Sequence, residues 1–296
     1  MVIRIKNIIV TIFFASFICG STLADVKSKV GEVGNGFLER SLFNMFNGPG
    51  TTEVSVKGIE NKKPEIEILL VRPLSLTEEN AFFSQIQLNN YYVQSNNRVA
   101  LNLGFGYRQV FLNKSVMSGM NIFFDVDDED NTRTSFGLEL KSNSFKAYAN
   151  YYKAISSTNT VSGDKKERVL DGYDIHILGK VPYFPWADVH YKYFEWQAEK
   201  NVKDTYGEEL SLEMLIHSSL MVEVGYEDNR FDAPEDFVKV TLFYPGKGGP
   251  TAFDDFISET AFMQGDVSNE LLSKVERTNR IMVETESAGV VIGRLD

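Results

Sequence analysis

The chain has 296 residues, 43% of them hydrophobic, with 30 basic and 41 acidic side chains and a formal net charge of −11. That acidity argues against a nucleic-acid partner, and a single cysteine, Cys19, excludes a disulfide framework and a thiolate metal site. Thirteen Tyr and twenty-two Phe against two Trp suit either a soluble β-sandwich or a membrane β-barrel.

Arg4 and Lys6 precede an apolar run from Ile8 to Ile18 and then Ser21-Thr22-Leu23-Ala24. This reads as a secretory signal peptide, residues 1–24, cut after Ala24. The run is shorter than the ~20 residues of a spanning helix. Ile18 before Cys19 is too large for a lipoprotein site, so Cys19 leaves with the signal. Residues 25–50 read as a periplasmic segment with a short helix, its apolar face made by Phe37, Leu38, Leu42, Phe43 and Phe46. Asn47-Gly48-Pro49-Gly50 ends it.

Alternating segments then follow one another, and twelve of them read as strands. They are Thr52 to Lys57, Glu65 to Val71, Phe82 to Val93, Val99 to Phe111, Met117 to Asp125 and Thr132 to Leu140. The rest are Phe145 to Ile155, Gly172 to Val181, Ala187 to Glu195, Glu208 to Ile216, Leu220 to Glu227 and Phe237 to Tyr244. In the fourth, Val99, Leu101, Leu103, Phe105 and Tyr107 share one parity, while Ala100, Asn102, Gly104, Gly106 and Arg108 share the other. Successive side chains of a strand point to opposite faces, so one face is apolar and the other small or polar. A length of about 10 residues matches a membrane-spanning strand. Across the strands the second face carries Asn102, Arg108, Asp125, Glu139, Asp174, His176, Lys180, Lys192, Glu213, Glu223 and Lys239. In a barrel these line the lumen, where opposite charges can pair.

The connections separate barrel from sandwich. Val126 to Asn131, Ser156 to Asp171, Gln197 to Gly207 and Asp228 to Asp236 are long and polar. Leu112 to Val116, Lys141 to Ser144, Pro182 to Trp186 and His217 to Ser219 are short. Long and short alternate, as in outer-membrane barrels. Arg72 to Ala81, long where a short turn is due, and Gln94 to Arg98, the reverse, break the rule. Residues 51–252 are therefore assigned to the barrel. Beyond it, Phe253 to Leu272 places Phe256, Ile257, Phe262 and Leu271 at loosely helical spacing, and Val275 to Glu284 reads as extended and amphipathic.

Several pieces together resemble the β-domain of inverse autotransporters, the intimin and invasin family. They are T-T-E-V-S-V-K (51–57), L-N-L-G-F-G-Y-R (101–108), M-N-I-F-F-D-V-D-D-E-D-N-T-R (120–133), D-G-Y-D-I-H-I-L-G-K-V-P-Y-F-P (171–185) and V-E-R-T-N-R-I-M-V-E (275–284). The resemblance implies a twelve-stranded antiparallel transmembrane barrel, all-β apart from the N-terminal periplasmic helix. It makes 253–286 a lumen helix and linker, with Val275, Arg277, Asn279, Ile281 and Val283 in the lumen linker and 287–296 a C-terminal tail. It also implies surface display and cell adhesion. Little sequence follows Glu284, so the passenger is expected to be missing or minimal. Expected partners are the outer-membrane lipid bilayer, the barrel-assembly machinery, periplasmic chaperones and a host or cell-surface ligand at the outer loops. The alternative is a stand-alone barrel acting as an adhesin or a small solute porin.

Chemical readings are weaker. The run Asp125, Asp127, Asp128, Glu129 and Asp130 lacks the glycine that a calcium loop needs at its sharp turn, and reads as a solvated outer loop. His176 and His190, with Asp174 and Asp188 near, read as lumen polar groups rather than a metal or acid-base pair. Gly104 and Gly106 lie inside a strand, where glycine marks close approach or curvature. Tyr91, Tyr92, Tyr107, Trp186, Tyr191, Tyr193, Trp196 and Tyr244 are candidates for interface girdles. No catalytic motif, cofactor site or metal site is read, and no enzyme activity is expected.

Overall fold

The computed structural model describes residues 49–59, 63–161, 165–198, 204–229, 234–263, 265–287 and 290–293. Contacts divide the chain into residues 1–49 and 50–296, and only the second unit is described below. The expected signal peptide, and the expected helix before Pro49, lie outside the described residues. No described helix is long and apolar enough to cross a membrane.

Twelve antiparallel strands close into a barrel. They are β1 (Thr51–Lys57), β2 (Glu65–Leu76), β3 (Asn80–Val93), β4 (Asn96–Phe111), β5 (Val116–Asp127), β6 (Thr132–Ser142) and β7 (Phe145–Ala154), then β10 (Asp171–Val181), β11 (Phe184–Gln197), β12 (Thr205–His217), β13 (Leu220–Asn229) and β14 (Glu235–Tyr244). Each pairs with its neighbour in sequence, β7 with β10, and β1 with β14 closes the ring through Thr52↔Tyr244 to Lys57↔Lys239. Closure leaves no sheet edge, which is what lets strands satisfy their backbone groups in lipid.

The outer surface follows the sequence alternation. On β4, Leu101, Leu103, Phe105 and Tyr107 are exposed while Ala100, Asn102 and Arg108 are fully buried inside. The same outward band includes Ile122, Phe124, Phe136, Leu138, Val189, Leu210 and Val238.

The inner face is less uniform than the pattern suggests. Phe83, Phe123, Phe194, Trp196 and Phe237 all point inward and are buried. Each stands opposite a glycine on a paired strand: Gly106, Gly104, Gly207, Gly172 and Gly225. A Cβ on Gly104 would come within 2.2 Å of Phe123 Cε1, and one on Gly106 within 2.4 Å of Phe83 Cζ. These glycines make room for lumen rings. Two girdle assignments are accordingly corrected: Tyr91 and Trp196 lie inside the lumen at 2% and 1% exposure.

Tight connections gather at one end, here the turn end, and longer ones at the other, the loop end. The apparent exception at Arg72 to Ala81 disappears, because β2 continues to Leu76 and β3 begins at Asn80. Pro73, inside β2, sits at a register shift, a place where a missing N–H is tolerated. The second exception is real. Gln94 and Ser95 make a two-residue hairpin with φ of 49° and 69°, the backbone that matches strand twist.

The loop end carries structure that the sequence reading left as loop. Between β7 and β10 lie β8 (Asn159–Thr160) and β9 (Lys166–Val169), and the end of the chain supplies β15 (Val283–Ser287) and β16 (Val290–Gly293). The four form a small sheet in the order β16-β15-β9-β8. Ser287 and Val290–Gly293 of the expected tail are therefore strand.

Candidate functional site

After β14 the chain turns at the turn end. The expected lumen helix over Phe253 to Leu272 is replaced by bends, with one 3-10 turn at Val267–Glu270. Phe253, Phe256, Ile257 and Phe262 are exposed rather than packed in the lumen. Ser258 N–H donates to Tyr183 O at 2.9 Å and Trp186 stacks on Phe256, so this stretch lies beside the β10–β11 turn. The plug begins at Asp266, whose carboxylate accepts from Ser268 N–H at 2.7 Å. Hydrogen bonding from the Ser268 hydroxyl, and then from its N–H, holds the Asp266 carboxyl below its ordinary range. Val267 and Leu271 then pack on Ala81, Val110 and Met117.

From Ser273 to Val283 the chain crosses the lumen in extended form, and lumen side chains take up its backbone groups. Arg108 is the first clamp. Its Nη1 donates to Leu271 O and Ser273 O at 3.0 and 2.6 Å, while Nε and Nη2 hold Glu139 at 2.7 and 3.0 Å. Lys141 closes the group, at 3.2 Å from Glu139 and 2.6 Å from Ser273 Oγ. Gln85 Oε1 accepts from Val275 N–H, and Asn150 Nδ2 donates to Glu276 O, both at 2.9 Å.

The centre is Arg277. Its two terminal nitrogens meet both oxygens of Asp125, at 3.1 and 2.7 Å, and its guanidinium lies 4.2 Å over the Phe123 ring. Asp125 also receives Arg133 Nε at 2.7 Å and Asn102 Nδ2 at 2.8 Å. The second arms of those two donors reach the linker: Arg133 to Thr278 O at 2.5 Å, Asn102 to Asn279 O at 3.0 Å. Asp174 and Tyr152 Oη accept from Thr278 N–H at 2.9 and 2.8 Å. Planar Arg–carboxylate pairs of this kind combine strength with fixed geometry.

Towards the loop end, Ile281 and Val283 pack with Tyr91, Val93, Ala100 and Val169, while Met282 packs with Tyr152, Phe194 and Trp196. The linker leaves the lumen as β15, pairing Val283↔Val169 to Glu286↔Lys166 on β9. Arg98 secures β9, with Glu167 at 2.5 Å and Asp127 at 3.3 Å. The acidic run is therefore split. Asp125 and Asp127 are buried in ion pairs, and the reading of the whole run as a solvated loop is corrected.

The structure brings together Asn102, Arg108, Asp125, Glu139 and Asp174 with Val275, Arg277, Asn279, Ile281 and Val283. It sets the others apart. His176, Glu213 and Glu223 lie on the far wall, Lys180 pairs with Asp188 at 2.6 Å, Lys192 reaches Glu209 at 3.8 Å, and Lys239 stands opposite Glu223. A cavity of about 150 Å³ remains between linker and far wall. Gln85, Arg133, Lys141 and Asn150 also grip the linker and were missed. Gln85, Arg133 and Asn150 lie on the inward parity of expected strands, the one signal that could have found them, whereas Lys141 was placed in a turn and belongs to β6, which runs on to Ser142.

The profile of the inverse autotransporter β-domain matches residues 20–279. Among solved structures, one described under "Unveiling the Mechanism Behind the in-meso Crystallization of Membrane Proteins" aligns at 22% identity and TM-score 0.65, covering 80% of this chain and 99% of its own. A KdgM porin aligns at 7% identity and TM-score 0.44, over 65% of this chain and 97% of its own. Outer membrane phospholipase A from Escherichia coli aligns at 10% and 0.40, over 65% and 95%. No curated protein sequence matches the chain.

Proposed function

Because the chain belongs to the inverse autotransporter β-domain family, an outer-membrane barrel that serves as a membrane anchor, we propose that it carries its own C-terminal segment through the barrel and holds it at the cell surface. The observation that supports this most is the extended linker, gripped along its backbone from Leu271 to Asn279 and emerging as β15. In this reading the turn end faces the periplasm and the loop end the exterior. The role is physical: the barrel supplies a path and an anchor, with no reaction to catalyse. Residues 1–24 direct export, and periplasmic chaperones and the barrel-assembly machinery bring the chain into the outer-membrane bilayer. Cell adhesion enters through the loop end, where the long connections and the β8–β9–β15–β16 sheet offer the surface for a host or cell-surface ligand.

An epitope fused after Asp296 tests the direction. On intact cells the tag is expected to be reached by antibody and removed by added protease. A tag reached only after the outer membrane is permeabilised would contradict the proposal.

A further inference from the structure

The β10 to β13 side of the lumen holds an unusual chain of groups. Asp174 Oδ1 lies 3.4 Å from His176 Nε2, His176 Nδ1 lies 3.1 Å from His190 Nε2, and His190 Nδ1 lies 3.2 Å from Glu213 Oε1. All four residues are buried. Both ends are carboxylates, which only accept when ionised. Three contacts therefore need three protons, and two neutral imidazoles carry two.

The charge around the chain decides where the deficit falls. Asp174 is already supplied by Tyr152 Oη at 2.6 Å, Asn150 Nδ2 at 2.7 Å and the Thr278 N–H. Glu213 stands directly opposite Glu223 in the β12–β13 register. Like charges so placed repel. Glu223 accepts from Ser211 Oγ at 2.6 Å and, among the described residues, has no ion-pair partner; Lys239, its neighbour on β14, stays beyond ion-pair distance. With the two protons on His176 Nε2 and His190 Nε2, the Nδ1 lone pair of His190 points at this carboxylate pair. One ligand atom each from His190, Glu213 and Glu223 lies within 4.8 Å of the others, beside the lumen cavity.

We propose that His190, Glu213 and Glu223 form a divalent transition-metal site of the zinc type, with the cation taking the place of the missing proton. Imidazole nitrogen and carboxylate oxygen are both zinc ligands, and three of them leave the fourth position of a tetrahedron open to the cavity. The 3.2 Å between His190 Nδ1 and Glu213 Oε1 is close to the edge of such a tetrahedron, about 3.3 Å for ligand bonds near 2.0 Å. His176 then acts as the outer partner that fixes the His190 tautomer, and Asp174 fixes His176. Bound metal would tie β11, β12 and β13 together on the side of the lumen that the linker leaves open. This site is independent of the display reading.

The test uses the full-length chain, untagged with histidine, refolded in detergent micelles, freed of metal and titrated with Zn²⁺. One ion per barrel is expected, with a raised unfolding temperature. His190→Ala and Glu223→Gln are expected to abolish both effects. His176→Ala, which removes no ligand, is expected to weaken binding by about 10- to 100-fold, and His217→Ala to leave it unchanged. Absence of saturable Zn²⁺ binding, or binding unaltered by His190→Ala and Glu223→Gln, would overturn the proposal. If those variants do not fold, the native chain decides: Zn²⁺ should protect His190 from carbethoxylation, and unprotected His190 would overturn the site.

Discussion

Truncating the chain before Val267 is expected to raise the ion conductance of the barrel in planar bilayers by on the order of tenfold, as a plugged barrel becomes a water-filled one. The full-length lumen is occupied from Val267 to Val283, leaving cavities of about 150 and 230 Å³ beside that stretch. Removing that stretch also unpairs the side chains that hold it. Arg108 and Glu139, Arg133 and Asp125 would remain as wall-bound ion pairs facing water. Their contacts within the wall are intact without the linker, at 2.7 Å each, so the truncated barrel should keep its closure and simply open. Equal conductance of the two forms would mean that the linker does not close the pore.

The second large effect is expected at Asp125. Three donors converge on its two oxygens: Arg277, Arg133 and Asn102. Asp125→Ala would leave two buried guanidinium groups side by side with no counter-charge. Breaking a buried pair in this way costs about 3–5 kcal/mol. Urea unfolding of the refolded barrel should show that loss. Arg277→Met is expected to be milder for the barrel, because Asp125 keeps Arg133 and the new side chain can pack on Phe123, where the guanidinium lay. It should instead loosen the linker, read as faster protease cleavage between residues 271 and 283. Equal stability of Asp125→Ala and the native chain would show that this cluster does not hold the plug.

Much of the fold was legible because lipid outside and water or polar side chains inside impose a period of two. Val99 to Arg108 states that rule plainly, and all twelve expected strands coincide with barrel strands. The rule failed where a side chain was satisfied by a neighbour that the sequence does not place beside it. Phe123 and Trp196 point inward because Gly104 and Gly172 lie opposite, a matter of register between strands. Asp127 looked solvated among its acidic neighbours, yet Arg98, Tyr91 and Asn131 bury it. β8 and β9 are too short and too charged to read as strands, and β9 gains its pairing from β15, more than a hundred residues further along the sequence. The family resemblance placed Phe253 to Phe262 in the plug, and its aromatics are spaced loosely as on a helix. The plug instead uses the extended stretch after it, where the wall supplies hydrogen bonds to the backbone.

Residues 273–283 thread the lumen from the turn end and emerge at the loop end beside β9. The paired positions Val169 and Val283 test this path most directly. Residues directly opposite on antiparallel strands have Cα atoms about 4.5–5.5 Å apart, within disulfide range. The other cysteine, Cys19, is removed by Cys19→Ser. The V169C/V283C double variant, folded in outer membranes and mildly oxidised, is expected to form one intramolecular disulfide, seen as a mobility shift that reductant reverses. A folded barrel in which the two cysteines both remain free to alkylating reagent would contradict the threaded path.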